Sequence, residues 1–428
     1  MRGRFVTTIA AVLAAVVLAA TMGDAVRPAA AQAPTKKLEV NLGWITFAGG
    51  SSAIAAVIIR DKLFEKHAAR FGYDITTNWK SFGSGAALNE AMAAGQLDLD
   101  MHMAALATVS RIAAGVPAIP IAVTGSHLSN AIMVAPGSPI KDVSQLSGKT
   151  VGLVFGSSGH WLLSSVIYYH LGKSLEEAQV KLVNMPITEA VKIPKGIDAA
   201  VVWIPQRFIG PQLGLSETIL DTDGYTGKAA RTPGIRVEEV KKSWAYPEGY
   251  NTDRLYAFAR DKFLAQHPDL VLAFLTAHAE AQNRVINDTP GTIEVINTHW
   301  KMPPSIVETT LQTYAESAGI RRTTTILEWD VLTLVKASEF LTFMKVRERP
   351  LAWDEIKPLF LKSAELQRRA WEANHSQPSV EDMRKGFSGT TKLYGPMTVN
   401  GGSPVWEWST NAQWGKRVYV PGPFPAAN

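Results

Sequence analysis

The sequence predicts an α/β fold of about two domains, with mainly parallel sheets covered by helices. Three observations lead there. Short apolar runs recur through the first half, each followed by a turn and a helix-like segment. Two of those turns, Ser81-Phe82-Gly83-Ser84-Gly85 and Gly156-Ser157-Ser158-Gly159-His160, are closely similar Ser/Gly-rich helix starts in different units. The length of 428 residues is enough for two sizeable cores.

Leu38, Val40 and Leu42 alternate with polar or small residues, as in a strand, and Gly49 to Ser52 lead into a buried-type helix ending near Phe64. Tyr73 to Trp79 reads as the second strand, followed by the Ser81–Gly85 turn and a helix that Gly95 ends. Leu97, Leu99, Met101 and Met103 alternate with Asp98, Asp100 and His102, before an alanine-rich helix running to Gly115. Ile119 to Thr124 and Ala131 to Ala135 are two strands separated by Gly125-Ser126-His127. Thr150 to Phe155 is a strong strand, and Gly156–His160 then opens a helix from Trp161 to Leu171. Val180 to Met185 and Ile197 to Trp203 are further strands, and Thr218 to Asp221 carries the chain back to the first unit. Thr222 to Arg254 is polar, broken by Gly and Pro, and reads as a surface excursion. Helices follow over Lys262–Ile286, with Pro268 at a favourable start position, and over Ser305–Ala318, Leu327–Val346 and Ile356–Glu372. Beyond His375 the chain is rich in Gly, Pro and Trp without helical periodicity. The tail from about Gln377, including Trp406, Trp408 and Trp414, reads as a cover packed over one domain through its aromatics.

The N-terminus has the pattern of a secretory signal: Arg2 and Arg4, an apolar run from Phe5 to about Ala20, and Ala29-Ala30-Ala31. The run is shorter than the ~20 residues a membrane span needs. Cleavage is expected after Ala31, giving a soluble periplasmic protein that starts near Gln32. The chain has no cysteine, which excludes disulfides, thiol nucleophiles and thiolate metal sites. Its formal charge of +5 includes three arginines of the leader, and the remainder is scattered. Nothing in that pattern suggests a nucleic-acid partner, and a monomer is expected.

A helix start leaves backbone N–H groups without intrahelical partners, and the helix dipole places partial positive charge there. Ser81, Gly83 and Ser84 form one such anion seat, and Ser157, Ser158 and His160 form the other. Placed at the carboxyl ends of their strands, the two would face one crevice. A helix N-terminus disfavours a charged imidazole, so His160 is expected as a neutral donor. Trp44, Trp161 and Trp203 stand beside these elements and are expected to line the organic part of a ligand.

Several segments in order make the chain resemble the periplasmic solute-binding proteins of ABC importers, in the branch handling nitrate, sulfonates and taurine. They are Asp61-Lys62-Leu63-Phe64-Glu65-Lys66, Phe82-Gly83-Ser84-Gly85, Ala87-Leu88-Asn89-Glu90-Ala91 and Ala94-Gly95-Gln96-Leu97-Asp98. Leu146-Ser147-Gly148-Lys149-Thr150-Val151, Gly156-Ser157-Ser158 and Asp198-Ala199-Ala200-Val201-Val202-Trp203-Ile204-Pro205 continue the pattern. The resemblance covers roughly residues 38–345. It implies a two-lobe periplasmic-binding-protein fold, type II-like, with a ligand cleft between the lobes and a C-terminal helical or irregular extension. The expected division is a signal peptide 1–31, a first lobe from 36–127 plus 222–376, a second lobe 128–221 and an extension 377–428. The implied partners are a small anionic organic ligand, such as an aliphatic sulfonate, and a membrane permease. No cofactor or metal is expected.

Many relatives that carry amino-sulfonates place an acidic residue between the Trp and Pro of the last motif. Here Ile204 stands there, which ranks taurine below simpler sulfonates. Asp100 and His102 stand where relatives often carry small or uncharged residues, and either can tune specificity or be a satisfied buried group. Enzyme readings fare poorly. There is no Gly-x-Ser-x-Gly elbow, no P-loop and no paired histidine spacing for a metal. An enzymatic relative of this architecture makes a thiamine pyrimidine precursor but carries a cysteine-rich motif that this chain lacks. The remaining alternatives are a nitrate, taurine, pyrimidine or other aromatic solute, or presentation of the ligand to a sensor kinase.

Overall fold

A computed structural model describes residues 36–126, 130–221, 253–316, 323–374, 377–391, 395–399 and 401–415. The leader, His127 and nearly all of the 222–254 excursion lie outside the described residues.

Two five-stranded sheets organise the molecule. The first contains β1 (Lys36–Ile45), β2 (Tyr73–Phe82), β3 (Leu99–Ala104), β4 (Ala118–Ser126) and β10 (Arg254–Arg260), in the order β2-β1-β3-β10-β4. Strands β1, β2 and β3 run parallel, and β10 is antiparallel to both of its neighbours. The second contains β5 (Asn130–Val134), β6 (Thr150–Leu153), β7 (Lys181–Asn184), β8 (Ala199–Trp203) and β9 (Glu217–Asp221), in the order β7-β6-β8-β5-β9. Here β6, β7 and β8 are parallel, while β5 is antiparallel to β8 and β9. The fold is therefore α/β, and each sheet is mainly parallel as expected, with one reversed strand, β10 in the first and β5 in the second.

Helices α1 (Gly50–Arg60), α2 (Leu63–Ala69), α3 (Gly85–Ala93) and α4 (Ala105–Ala113) connect the parallel strands of the first sheet. Close approach decides two small residues here. A Cβ on Gly43 of β1 would lie 2.6 Å from Leu88 Cδ2 of α3, and one on Gly85 would lie 2.5 Å from Ala107 Cβ of α4. In the second unit α5 (Ser158–Leu171) follows β6, α6 (Ile187–Ala190) follows β7, and α7 (Gln206–Gln212) follows β8.

The strand β10 escapes the sequence reading, although Leu255-Tyr256-Ala257-Phe258-Ala259 is a continuous apolar run and is fully buried between β3 and β4. The expected helix over 262–286 is two helices, α8 (Asp261–Gln266) and α9 (Pro268–Asn287). Proline pushes the preceding residue out of the helical region, and His267 adopts φ −134° and ψ 53°. The chain then forms α10 (Thr289–Trp300), α11 (Pro304–Glu316), α12 (Glu328–Phe343), α13 (Trp353–Leu361) and α14 (Ala364–Glu372). The last two replace one expected helix. The tail holds a short helix α15 (Val380–Lys385) and a hairpin of β11 (Phe387–Thr391) and β12 (Gly395–Val399). Trp408 and Trp414 pack into the large core around the first sheet, their ring centroids 4.0 Å apart. Glu328, at the start of α12, accepts from the backbone N–H of Ser403 and Gly415 and ties the tail down.

Candidate functional site

The carboxyl ends of the parallel strands from both sheets meet at one cavity of about 60 Å³. That is room for several water-sized groups, since a single water needs roughly 10–15 Å³. From the first unit its wall takes Ile45, Phe47, Ala48 and Gly49 after β1, Ser84 to Ala86 at α3, His102, Ala104 and Ala107 around α4, and Leu255. From the second it takes Val154 to Ser158 after β6, and Trp203 and Ile204 after β8. The residues capping the N-termini of α1, α3, α4 and α5, namely Gly49, Ser84, Ala104 and Ser157, are all wall residues. Four helix starts therefore present their positive ends to one space that no charged side chain among the described residues lines. The sequence points to two of these starts. Gly49, at φ 62°, carries a turn signal for a third, whereas Ala104 carries none.

The hydroxyl groups of the two predicted seats are not equivalent. Ser84 Oγ accepts the Ala87 N–H at 3.3 Å, which leaves its own O–H free of any partner among the described residues. Ser157 Oγ donates to the Val154 carbonyl at 2.6 Å and accepts the His160 N–H, so its donor is used. Ser158 is buried and donates to Asn130 Oδ1 at 3.1 Å. Ser81 lies outside the cavity wall and pairs with Thr46 Oγ1. Gly83 is exposed and also lies outside the wall.

His160 accepts the Gly156 N–H at Nδ1, 3.3 Å away, which fixes Nε2 as the protonated nitrogen of the neutral ring. Burial pushes its pKa down, in keeping with a neutral donor. Its Nε2 has no partner among the described residues, and the ring packs against Phe155 and Phe340 rather than lining the cavity.

The three tryptophans separate. Trp203 lines the cavity, and its Nε1–H donates to the Phe47 carbonyl at 2.6 Å, tying the second sheet to the loop after β1. Trp161 is stacked on Phe340 of α12, centroids 6.2 Å apart, and packs in the first unit's core away from the wall. Trp44 is buried, edge-on to His299 at 5.0 Å, and is likewise outside the wall.

Asp100 forms a fully buried ion pair with Arg111 at 2.7 Å, and the Arg111 guanidinium lies 4.5 Å from the Phe258 ring centre. Burial pushes the Asp100 carboxyl up, against the opposing pull of Arg111. Asp100 is thus a paired group behind the cavity. His102 is in the wall itself. Burial lowers its pKa to about 4, opposed by the Ile45 and Ser51 carbonyls.

This architecture, two α/β sheets with one cavity at their facing strand ends, is the periplasmic-binding-protein fold. Residues 82–290 match the family described as NMT1/THI5 like. The taurine-binding periplasmic protein of Escherichia coli (strain K12) is 25% identical over 303 residues, spanning 70% of this chain and 78% of that protein. Among solved structures, the alkanesulfonate-binding protein SsuA of Xanthomonas axonopodis pv. citri bound to MOPS is similar with a TM-score of 0.53 and 17% identity, covering 80% of this chain and 96% of that one. The periplasmic nitrate-binding protein NrtA of Synechocystis PCC 6803 gives 0.56 and 14%, covering 81% and 92%. The chain is thus similar, over about half to four fifths of its length, to periplasmic binding proteins of the nitrate, sulfonate and taurine branch. Among the described residues no helix is long and apolar enough to cross a membrane.

Proposed function

We propose that this protein is the extracytoplasmic solute-binding component of an ABC importer and captures a small organic oxyanion, such as an aliphatic sulfonate. The observation that carries the reading is the convergence of four helix N-termini, with the free Ser84 hydroxyl, on one uncharged cavity. Such donors hold an oxyanion without a cationic side chain, and exclusion of water strengthens the bonds. The names of the relatives agree on this chemistry, since taurine, alkanesulfonates and nitrate share an oxyanion head. Ile204, and the lack of a carboxylate among the described residues of the wall, support ranking taurine below simpler sulfonates.

The ligand lies between a first lobe of residues 36–127 plus 222–376 and a second lobe of 128–221, with 377–428 as an extension of the first. Ser84, Gly85, Ser157, Ser158 and Trp203 surround it. The leader 1–31 directs export, and the partner is a membrane permease. The relatives are named as binding proteins, which supports capture and release of a solute as the task.

A thermal-shift screen of ethanesulfonate, nitrate, taurine, carboxylates, pyrimidines and neutral sugars tests this. A ligand at a hundred times its Kd adds about 2.7 kcal/mol to the folded state. Ethanesulfonate is expected to raise the melting temperature most. A response confined to sugars or metal ions rejects the oxyanion reading.

A further inference from the structure

His102 is held in an unusual way at the cavity. Tyr256 pairs with Met103 and Phe258 with Asp100, so Met101 and His102 together stand opposite Ala257, a bulge in β3. Its φ of 73° falls in the left-handed region that L-residues seldom enter, and strain of this kind is retained where a side chain has to be re-aimed. The ring is fully buried and lines the cavity. Nδ1 lies 3.2 Å from the Ile45 carbonyl. A carbonyl only accepts, so Nδ1 carries the proton and, in the neutral ring, Nε2 carries a lone pair. That nitrogen makes no hydrogen bond of ordinary geometry among the described residues, although the Ser51 carbonyl also bears on the ring.

An oxyanion without a proton cannot satisfy an acceptor in its own site. Building on the oxyanion reading above, we propose that His102 Nε2 accepts a hydrogen bond from the ligand, so that the preferred solute is a small oxyanion bearing a hydroxyl near its anionic head. A hydroxyalkylsulfonate is the simplest such molecule. Its anionic head takes the donors at the helix starts, and its hydroxyl donates to the His102 lone pair. The depressed pKa of the ring keeps this lone pair available at neutral pH.

Titration calorimetry with ethanesulfonate and 2-hydroxyethanesulfonate tests the assignment, because the two differ by the hydroxyl alone. The parent protein is expected to bind the hydroxylated compound about ten- to a hundredfold more tightly, the effect of leaving a buried acceptor unpaired. His102→Leu is expected to abolish that preference while still binding ethanesulfonate. Equal binding of both compounds by the parent overturns the role of His102 and leaves the oxyanion reading standing; binding of neither overturns both. Should the variant not fold, nitrogen-15 spectra of histidine-labelled parent protein decide. A protonated Nδ1, and an Nε2 resonance that moves with 2-hydroxyethanesulfonate but not with ethanesulfonate, support the assignment. An Nε2–H tautomer overturns it.

Discussion

The helix starts at Ser84 and Ser157 look alike in sequence and differ in what they leave free. Each begins a helix after a parallel strand, and in each a serine caps the first turn. Ser84 spends only its acceptor on the cap. Ser157 spends both donor and acceptor, Ser158 turns its hydroxyl to Asn130, and His160 closes back on Gly156. The first start is available to a ligand through side chain and backbone, the second chiefly through backbone N–H groups at the helix end. Capping residues therefore identify where a helix begins, but hydrogen bonding to the rest of the fold decides which of them can bind.

The glycines sharpen this contrast and give the largest expected effect. A Cβ on Gly85 would meet Ala107 Cβ at 2.5 Å and Met103 Sδ at 3.1 Å, and the alanine has no rotamer to give way. Gly85→Ala is expected to displace the start of α3, costing about 1–3 kcal/mol of stability and on the order of a hundredfold in ligand affinity. A Cβ on Gly159 meets Val201 Cγ1 at 3.1 Å, a contact that a small shift relieves. The gain in helix propensity of up to about 1 kcal/mol offsets it, so Gly159→Ala is expected to be near neutral. Denaturant melts and calorimetry on both variants check this, and equal losses of affinity would erase the distinction between the seats.

The serines come next. Ser84→Ala removes a cap worth about 0.5–2 kcal/mol and the free donor, with an expected ten- to hundredfold loss of oxyanion affinity. Ser158→Ala is expected to lower stability by about 1 kcal/mol through its lost bond to Asn130 and to change affinity less than about threefold. A larger affinity loss for Ser158→Ala than for Ser84→Ala would reverse the assignment.

Much of this architecture is legible in the sequence because alternation and turn signals are local. The strands around Val40, Ile75, Leu99 and Val151 and the helices after them follow directly from apolar spacing. What escapes is non-local. Strand β10 follows a long polar stretch, and only its insertion between β3 and β4 reveals why five apolar residues stand there. The role of His102 is equally hidden, since its left-handed φ comes from a bulge opposite a strand 150 residues away. Gly49 and Ala104 reach the cavity because their strands end beside the others. Conversely, Trp161 follows a helix start in sequence yet turns into the core, since α12 supplies Phe340 as a better apolar surface than the cavity does.

That last difference yields the smallest expected effect and separates the two tryptophans that flank the site. Trp203→Phe keeps an aromatic face on the cavity and loses only the Nε1–H bond to the Phe47 carbonyl. A neutral hydrogen bond contributes about 0.5–1.5 kcal/mol, so affinity is expected to fall roughly fivefold, mostly through faster dissociation as the tie between the two units weakens. Trp161→Phe loses an indole N–H that has no partner among the described residues, which relieves a desolvation cost while removing some buried area. The two terms oppose each other, and stability is expected to change by about 1 kcal/mol or less. Affinity should stay within about twofold, because the ring stacks on Phe340 and stands outside the cavity wall. Stopped-flow dissociation rates on the two variants make the comparison direct. Faster dissociation for Trp161→Phe than for Trp203→Phe would mean that the α5–α12 contact, and not the Trp203 tie, holds the two units around the ligand.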